Sequence, residues 1–65
     1  MRVRYDDEVD AAYIQLSSKK PKAAIEINEG VILHVANKHG LVGIEILDAS
    51  ERFPIRSLHT LQFVS

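Results

Sequence analysis

The chain has no cysteine and no tryptophan among its 65 residues, and only two prolines, three glycines and 6% aromatic residues. Without cysteine there are no disulfide staples, no thiolate zinc sites and no thiol nucleophile. That matters for so short a chain, which buries only roughly 60% of the surface its unfolded form exposes. A single domain over residues 1–65 is expected, with a thin core. Association with another chain is the remaining supplement to stability.

Charge of either sign is also not in excess. Eight Lys+Arg stand against nine Asp+Glu, a formal net charge of -1, so the electrostatic footprint of a dedicated nucleic-acid binder is missing. Arg2, Arg4 and the run Lys19-Lys20-Pro21-Lys22 are the basic stretches. They would contact phosphates only as part of a larger pair, and the lysine run reads as a solvated loop. No apolar run approaches the roughly 20 residues that span a membrane. Met1-Arg2-Val3-Arg4 lacks the apolar segment of a signal peptide. A soluble, cytoplasmic protein is expected.

What is present is alternation. β-branched and aromatic runs are punctuated by Asp6 to Asp10, Ser17 to Lys22, Asn28-Glu29-Gly30 and Asn37-Lys38-His39-Gly40, the pattern of short antiparallel strands. The strands predicted are Arg2 to Asp6, Ala11 to Leu16, Ala23 to Ile27, Val31 to Ala36 and Leu41 to Leu47. Residues opposite one another in an antiparallel pair share a face, so register can be tested against the apolar pattern. Pairing Tyr5 with Ala12 and Val3 with Ile14 leaves Asp7 to Asp10 as a four-residue loop and sets Arg4 opposite Tyr13. A three-residue loop at Asn28 to Gly30 sets Ile25 opposite Leu33 and Ala23 opposite Val35, with Gly30 in the left-handed conformation that such a loop requires. The last hairpin sets Val35 opposite Val42, Leu33 opposite Ile44 and Val31 opposite Ile46. Closing the second strand on the third sets Ile14 opposite Ile25 and Ala12 opposite Ile27.

The resulting core face is Val3, Tyr5, Ala12, Ile14, Leu16, Ile25, Ile27, Val31, Leu33, Val35, Val42, Ile44 and Ile46. Arg2, Arg4, Tyr13, Gln15, Glu26, Ile32, His34, Gly43 and Glu45 lie on the other. An apolar sheet face needs a cover, which residues 48–65 must supply. Asp48-Ala49-Ser50-Glu51 has the form of an N-cap answered by a glutamate three residues on. Pro54 suits the first position of a second short helix, from which Ile55, Leu58 and Leu61 form an apolar stripe. Leu61 to Val64 alternates, as a short edge strand or a contact with another subunit. The expected class is therefore α+β, an antiparallel meander of about five short strands over residues 2–47 with a helical cover.

Four carboxylates, Asp6, Asp7, Glu8 and Asp10, fall within five positions. A calcium loop counted from Asp6 would need glycine sixth and glutamate twelfth, where Ala11 and Ser17 stand. Turn chemistry, with Asp side chains accepting from nearby backbone N–H groups, explains the cluster better. A metal-binding or hydrolytic alternative would use Asp6, Glu8, Asp10 and Glu45. Glu45 falls within an apolar strand but on its outer side, beside Gly43 and His34. His34, His39 and His59 lack the spacing of a zinc site. No serine or threonine has a local base motif, and no glycine-rich phosphate loop is present.

The run Tyr5-Asp6-x-Glu8-x-Asp10-Ala11-x-Tyr13-Ile14-x-Leu16, with Gly30-Val31 and Gly43-Ile44-Glu45-Ile46-Leu47-Asp48-Ala49-Ser50, resembles the bacterial domain of unknown function 2283 family, also called the YuzE-like family. Ala12 stands where that family usually has a larger leucine, and Phe53 to Ser65 lies outside the shared pattern. The resemblance implies a compact strand-rich fold with a C-terminal helix and supplies no activity. By analogy with small proteins suspected of such roles, an antitoxin-like or regulatory partnership with another small protein is the expectation. The function expected is a non-enzymatic interaction module without cofactor, acting as a homodimer. Its interface candidates are Tyr13, Ile32, His34, Glu45 and Phe63.

Overall fold

A computed structural model describes residues 1–37 and 39–58. Five strands, β1 (Arg2–Asp6), β2 (Ala11–Gln15), β3 (Ala23–Asn28), β4 (Val31–Val35) and β5 (Leu41–Leu47), are followed by one turn of helix, α1 (Ala49–Arg52). All strand pairs are antiparallel. The fold is thus α+β, as the alternation predicts, but the strand order is β1-β2-β5-β4-β3. This corrects the sequential meander: β2 pairs with β5, not with β3. It is a Greek-key order, three hairpin-connected strands whose last member returns beside an earlier one.

The substitution of partner preserves every face. Ile14 lies opposite Ile44 and Ala12 opposite Ile46, so β2 meets the same branched aliphatic side chains that Ile25 and Ile27 would have offered. β5 takes the centre because it is the longest strand and carries apolar residues on both sides of its pleat. β3, with Glu26 and Asn28, goes to the edge, where all six of its residues are exposed.

The hairpin registers agree with the sequence in most places. Tyr5 pairs with Ala12, Val3 with Ile14 and Arg4 with Tyr13; Ile25 pairs with Leu33 and Ala23 with Val35. Gly30 has φ +78°, the left-handed conformation expected of it, but the predicted three-residue loop is corrected: Asn28 belongs to β3 and pairs with Val31, leaving Glu29 and Gly30 as the turn, and a bulge at Ile27 absorbs the difference in register. In the last hairpin Leu33 faces Ile44 and Val31 faces Ile46, but Val35 faces Leu41 rather than Val42. A bulge makes Val42 the extra residue. Val42 is 2% exposed, and its carbonyl accepts from the N–H groups of both Leu16 (2.8 Å) and Ser17 (3.1 Å). The bulge thereby fixes where β2 leaves the sheet.

Val3, Ala12, Ala49 and Leu58 form the buried cluster, with Tyr5, Ile14, Ile46, Phe53 and Ile55 packed against it. The cover therefore sits on β1, β2 and β5. After Pro54 the chain turns helically, Ser57 N–H donating to Pro54 O (2.9 Å) and Leu58 N–H to Ile55 O (3.0 Å), as the Ile55 and Leu58 spacing predicts. Leu61 to Val64 lies outside the described residues. Of the predicted core face, Leu16, Ile25 and Ile27 remain 43%, 49% and 58% exposed.

α1 differs from its expected capping. Asp48 has φ 53°, ψ 43° and makes no side-chain cap bond. The cap arrives instead from the first hairpin. Because Ala11 lies opposite Leu47, Asp10 sits at the start of the helix: its carbonyl accepts from Ala49 N–H (2.9 Å) and its carboxylate from Ser50 N–H (3.0 Å). A carboxylate at a helix start satisfies otherwise orphaned donors. At the other end Arg52 Nε donates to Leu47 O (2.9 Å) and its Nη2 to Glu29 O, tying the helix to the β3–β4 turn.

Candidate functional site

The outer face of the sheet carries a row of interlocked polar and aromatic side chains. Arg4 on β1 stands over the ring of Tyr13 on β2, 5.5 Å from its centroid. Tyr13 meets the ring of His34 on β4 edge-on, with centroids 5.5 Å apart and planes at 71°. His34 Nε2 lies 3.0 Å from Glu45 Oε1 on β5, with side chains 22% and 33% exposed. Register places these residues: Tyr13 lies opposite Glu45, and His34 lies opposite Gly43. Gly43 makes the row possible, since a Cβ there would overlap the Tyr13 hydroxyl. The tyrosine thus lies across the bare backbone of β5, filling the space a strand glycine leaves.

An open groove of about 750 Å³ follows this face, lined by Arg4, Asp6, Tyr13, Pro21, His34 and Glu45 among others. Tyr13, His34 and Glu45 each touch another member of the row, and a pre-ordered surface loses less entropy on binding. Of the predicted interface residues, Tyr13, His34 and Glu45 come together here, with Ile32 opposite Glu45 on the same face. Phe63 lies outside the described residues.

The acidic residues gather elsewhere. Asp6 Oδ1 accepts from Glu8 N–H (3.0 Å), an aspartate turn of the kind expected. Glu45 is engaged by His34, on a different strand row from Asp10. The set Asp6, Glu8, Asp10 and Glu45 is therefore not brought together. Instead Asp10 lies near Asp48 and Glu51, one oxygen of each within 4.8 Å of the others. Sequence reasoning missed Asp48 and Glu51 because their approach depends on the β2–β5 pairing. The one available signal was Gly43, a glycine inside a strand that accepts an aromatic from its neighbour.

Asp10 is already heavily engaged. Oδ1 accepts from Tyr5 Oη (2.7 Å) and Ser50 N–H, and Oδ2 from Ser50 Oγ (2.7 Å). The Ser50 hydroxyl, then the Tyr5 hydroxyl, hold the Asp10 carboxyl below its ordinary 3.8. Tyr5 is pushed above 10.0, first by that hydrogen bond and then by desolvation and the charges of Asp10, Asp7 and Asp6. A carboxylate stabilised in this way is a weak base for activating Ser50. The chemistry that fits is structural: Asp10 joins β1, the first turn and α1.

No helix among the described residues is long and apolar enough to cross a membrane. A Methanosarcina mazei protein named "Putative hypoxanthine phosphoribosyltransferase" is 41% identical over 49 residues, which are 75% of this chain and 39% of that protein. The chain thus matches well under half the length of that relative. No solved structure matches it. The family described as "Protein of unknown function (DUF2283)" matches residues 2–50, from the first residue of β1 to the second of α1, and the chain belongs to that family.

Proposed function

We propose that the chain is a non-enzymatic interaction module whose outer groove receives a segment of another small protein, in a regulatory or antitoxin-like pair. The observation that carries this reading is the row Arg4, Tyr13, His34 and Glu45 along the groove floor. Tyrosine and arginine are the side chains that most often anchor protein interfaces, and charged neighbours at the rim set register and partner choice. The test is affinity capture from native cell extract, followed by calorimetry with the purified partner. Wild type is expected to bind one specific protein, and Tyr13→Ala to weaken it by roughly tenfold or more, about 1.4 kcal/mol. Capture of no specific protein, or equal binding by Tyr13→Ala, would refute the reading.

A second reading is a cation site or metal-dependent hydrolase at Asp10, Asp48 and Glu51, supported by the approach of their carboxylates. It predicts heat and a thermal shift on titration with calcium, magnesium, manganese or zinc, both lost in Asp48→Asn. The phosphoribosyltransferase name of the relative belongs to a protein of which only 39% is matched. The matched stretch has no glycine-rich loop to cradle a phosphate.

A further inference from the structure

The apolar face of the sheet is covered over only part of its width. The buried cluster and its neighbours draw on β1, β2, β5 and residues 49–58. On the other side, Ile25 and Ile27 of β3 are 49% and 58% exposed, and Leu16 and Leu41 are 43% and 38% exposed. The patch is continuous by register: Ile25 lies opposite Leu33 and Ala23 opposite Val35, while Leu33 lies opposite Ile44 and Val35 opposite Leu41. Contiguous apolar surface beyond roughly a few hundred Å² is what marks a binding surface, and here it runs unbroken across two neighbouring strands.

We infer that this open half-face seats a second copy of the same chain, the two packed face to face about a two-fold axis. The inference rests on reading the chain as an interaction module, and assigns it a second surface on the opposite side of the sheet. A two-fold interface must be self-complementary. The inward positions Ala23, Ile25, Leu33 and Val35 carry no charge or polar group, and polar character enters only at the turn end of β3, where the bulge at Ile27 brings Asn28 opposite Val31. Glu26 and His34 point to the other face, away from the contact. The interior of homodimer interfaces is depleted in charge in the same way.

Layer geometry and stability agree with a second copy. Facing sheets pack about 10 Å apart, the same depth as a helix lying on a sheet. The partner's sheet would therefore sit level with residues 49–58 and beside them. Only Val3, Ala12, Val42, Ala49 and Leu58 are buried hydrophobics among the described residues, a small core for independent stability.

Sedimentation equilibrium of the full chain tests this, comparing wild type with the Ile25→Lys/Ile27→Lys double variant and with Tyr13→Ala. Wild type and Tyr13→Ala should be dimers. The double variant should be a monomer with an unchanged far-ultraviolet circular dichroism spectrum, its dimer dissociation constant raised by roughly a hundredfold or more. Should the lysine pair fail to fold, Ile25→Thr/Ile27→Thr keeps the β-branched shape and must also weaken the dimer. A wild type that stays monomeric, or a double variant that stays dimeric, overturns the inference. A monomeric wild type whose truncation after Leu58 increases binding of a hydrophobic dye would assign the half-face to residues 59–65. Capture of a separate partner by a monomeric wild type would leave the outer-groove reading standing while ending this one.

Discussion

Replacing Leu58 by alanine tests whether residues 54–58 truly close the sheet. Leu58 is 4% exposed and packs with Val3, Ala12 and Ala49, with Phe53 and Ile55 alongside. Two of those neighbours are alanines, which have no side-chain length with which to fill a void. The site can relax little, so the loss should fall in the middle or upper part of the range of about 2–5 kcal/mol seen for buried leucine truncation. A domain of 65 residues has a total stability of about 3–10 kcal/mol. The substitution thus removes a third or more of it. Each kcal/mol corresponds to about 4–8 °C in the midpoint of a domain this small, so circular dichroism melts should show a fall of at least about 10 °C, with a parallel fall in the urea midpoint. Leu58→Met, which preserves volume, should cost less than about 1.5 kcal/mol. A fall below about 4 °C for Leu58→Ala would mean that this leucine is not part of the core.

Three further outcomes follow from the same geometry. The Asp10 carboxyl is held below 3.8 in the folded chain, so its contribution is full above the unfolded value and fades as pH falls through the folded one. Melts of wild type should therefore lose stability below about pH 4, and Asp10→Asn should flatten that slope; an unchanged slope would sever the link. In a Tyr13→Phe chain Tyr5 is the sole tyrosine, and its phenolate absorbance should appear with a midpoint above 10.0, moving down on Asp10→Asn. Its contribution is present below that ordinary value and lost as pH rises through the folded one, so alkaline stability should fall in the same range. Gly30→Ala places a Cβ at φ +78°, 2.6 Å from Arg52 Nη2, and should cost about 1–2 kcal/mol with loss of the Arg52 tie; a neutral change by chemical denaturation would refute the turn assignment.

Much of the fold is legible because period-two alternation fixes faces. Once Tyr5 faces Ala12, the choice of core and outer residues follows, and with it the stack of Arg4 on Tyr13. Gly30 is legible for a local reason, since the turn needs a left-handed residue, but the turn's length is not, because a bulge at Ile27 keeps Ile25 opposite Leu33 with only Glu29 and Gly30 between the strands. Partner choice is different. Ile14 and Ala12 are matched equally well by Ile25 and Ile27 or by Ile44 and Ile46, so alternation alone does not select β2's neighbour.

The sequence by itself determined the strands, their faces, the first hairpin register, the second as far as Glu26, and the helical turn after Pro54, all of which depend on residues close in the chain or on period two. Only the tertiary structure decided that β5 lies between β2 and β4. That choice depends on which long strand can be buried on both sides, and on Gly43 leaving room for Tyr13. From it come the features that local reasoning did not reach: Asp10 at the start of α1, Asp48 and Glu51 beside it, the outer row joined across three strands to His34, and an apolar half-face left open on β3 and β4.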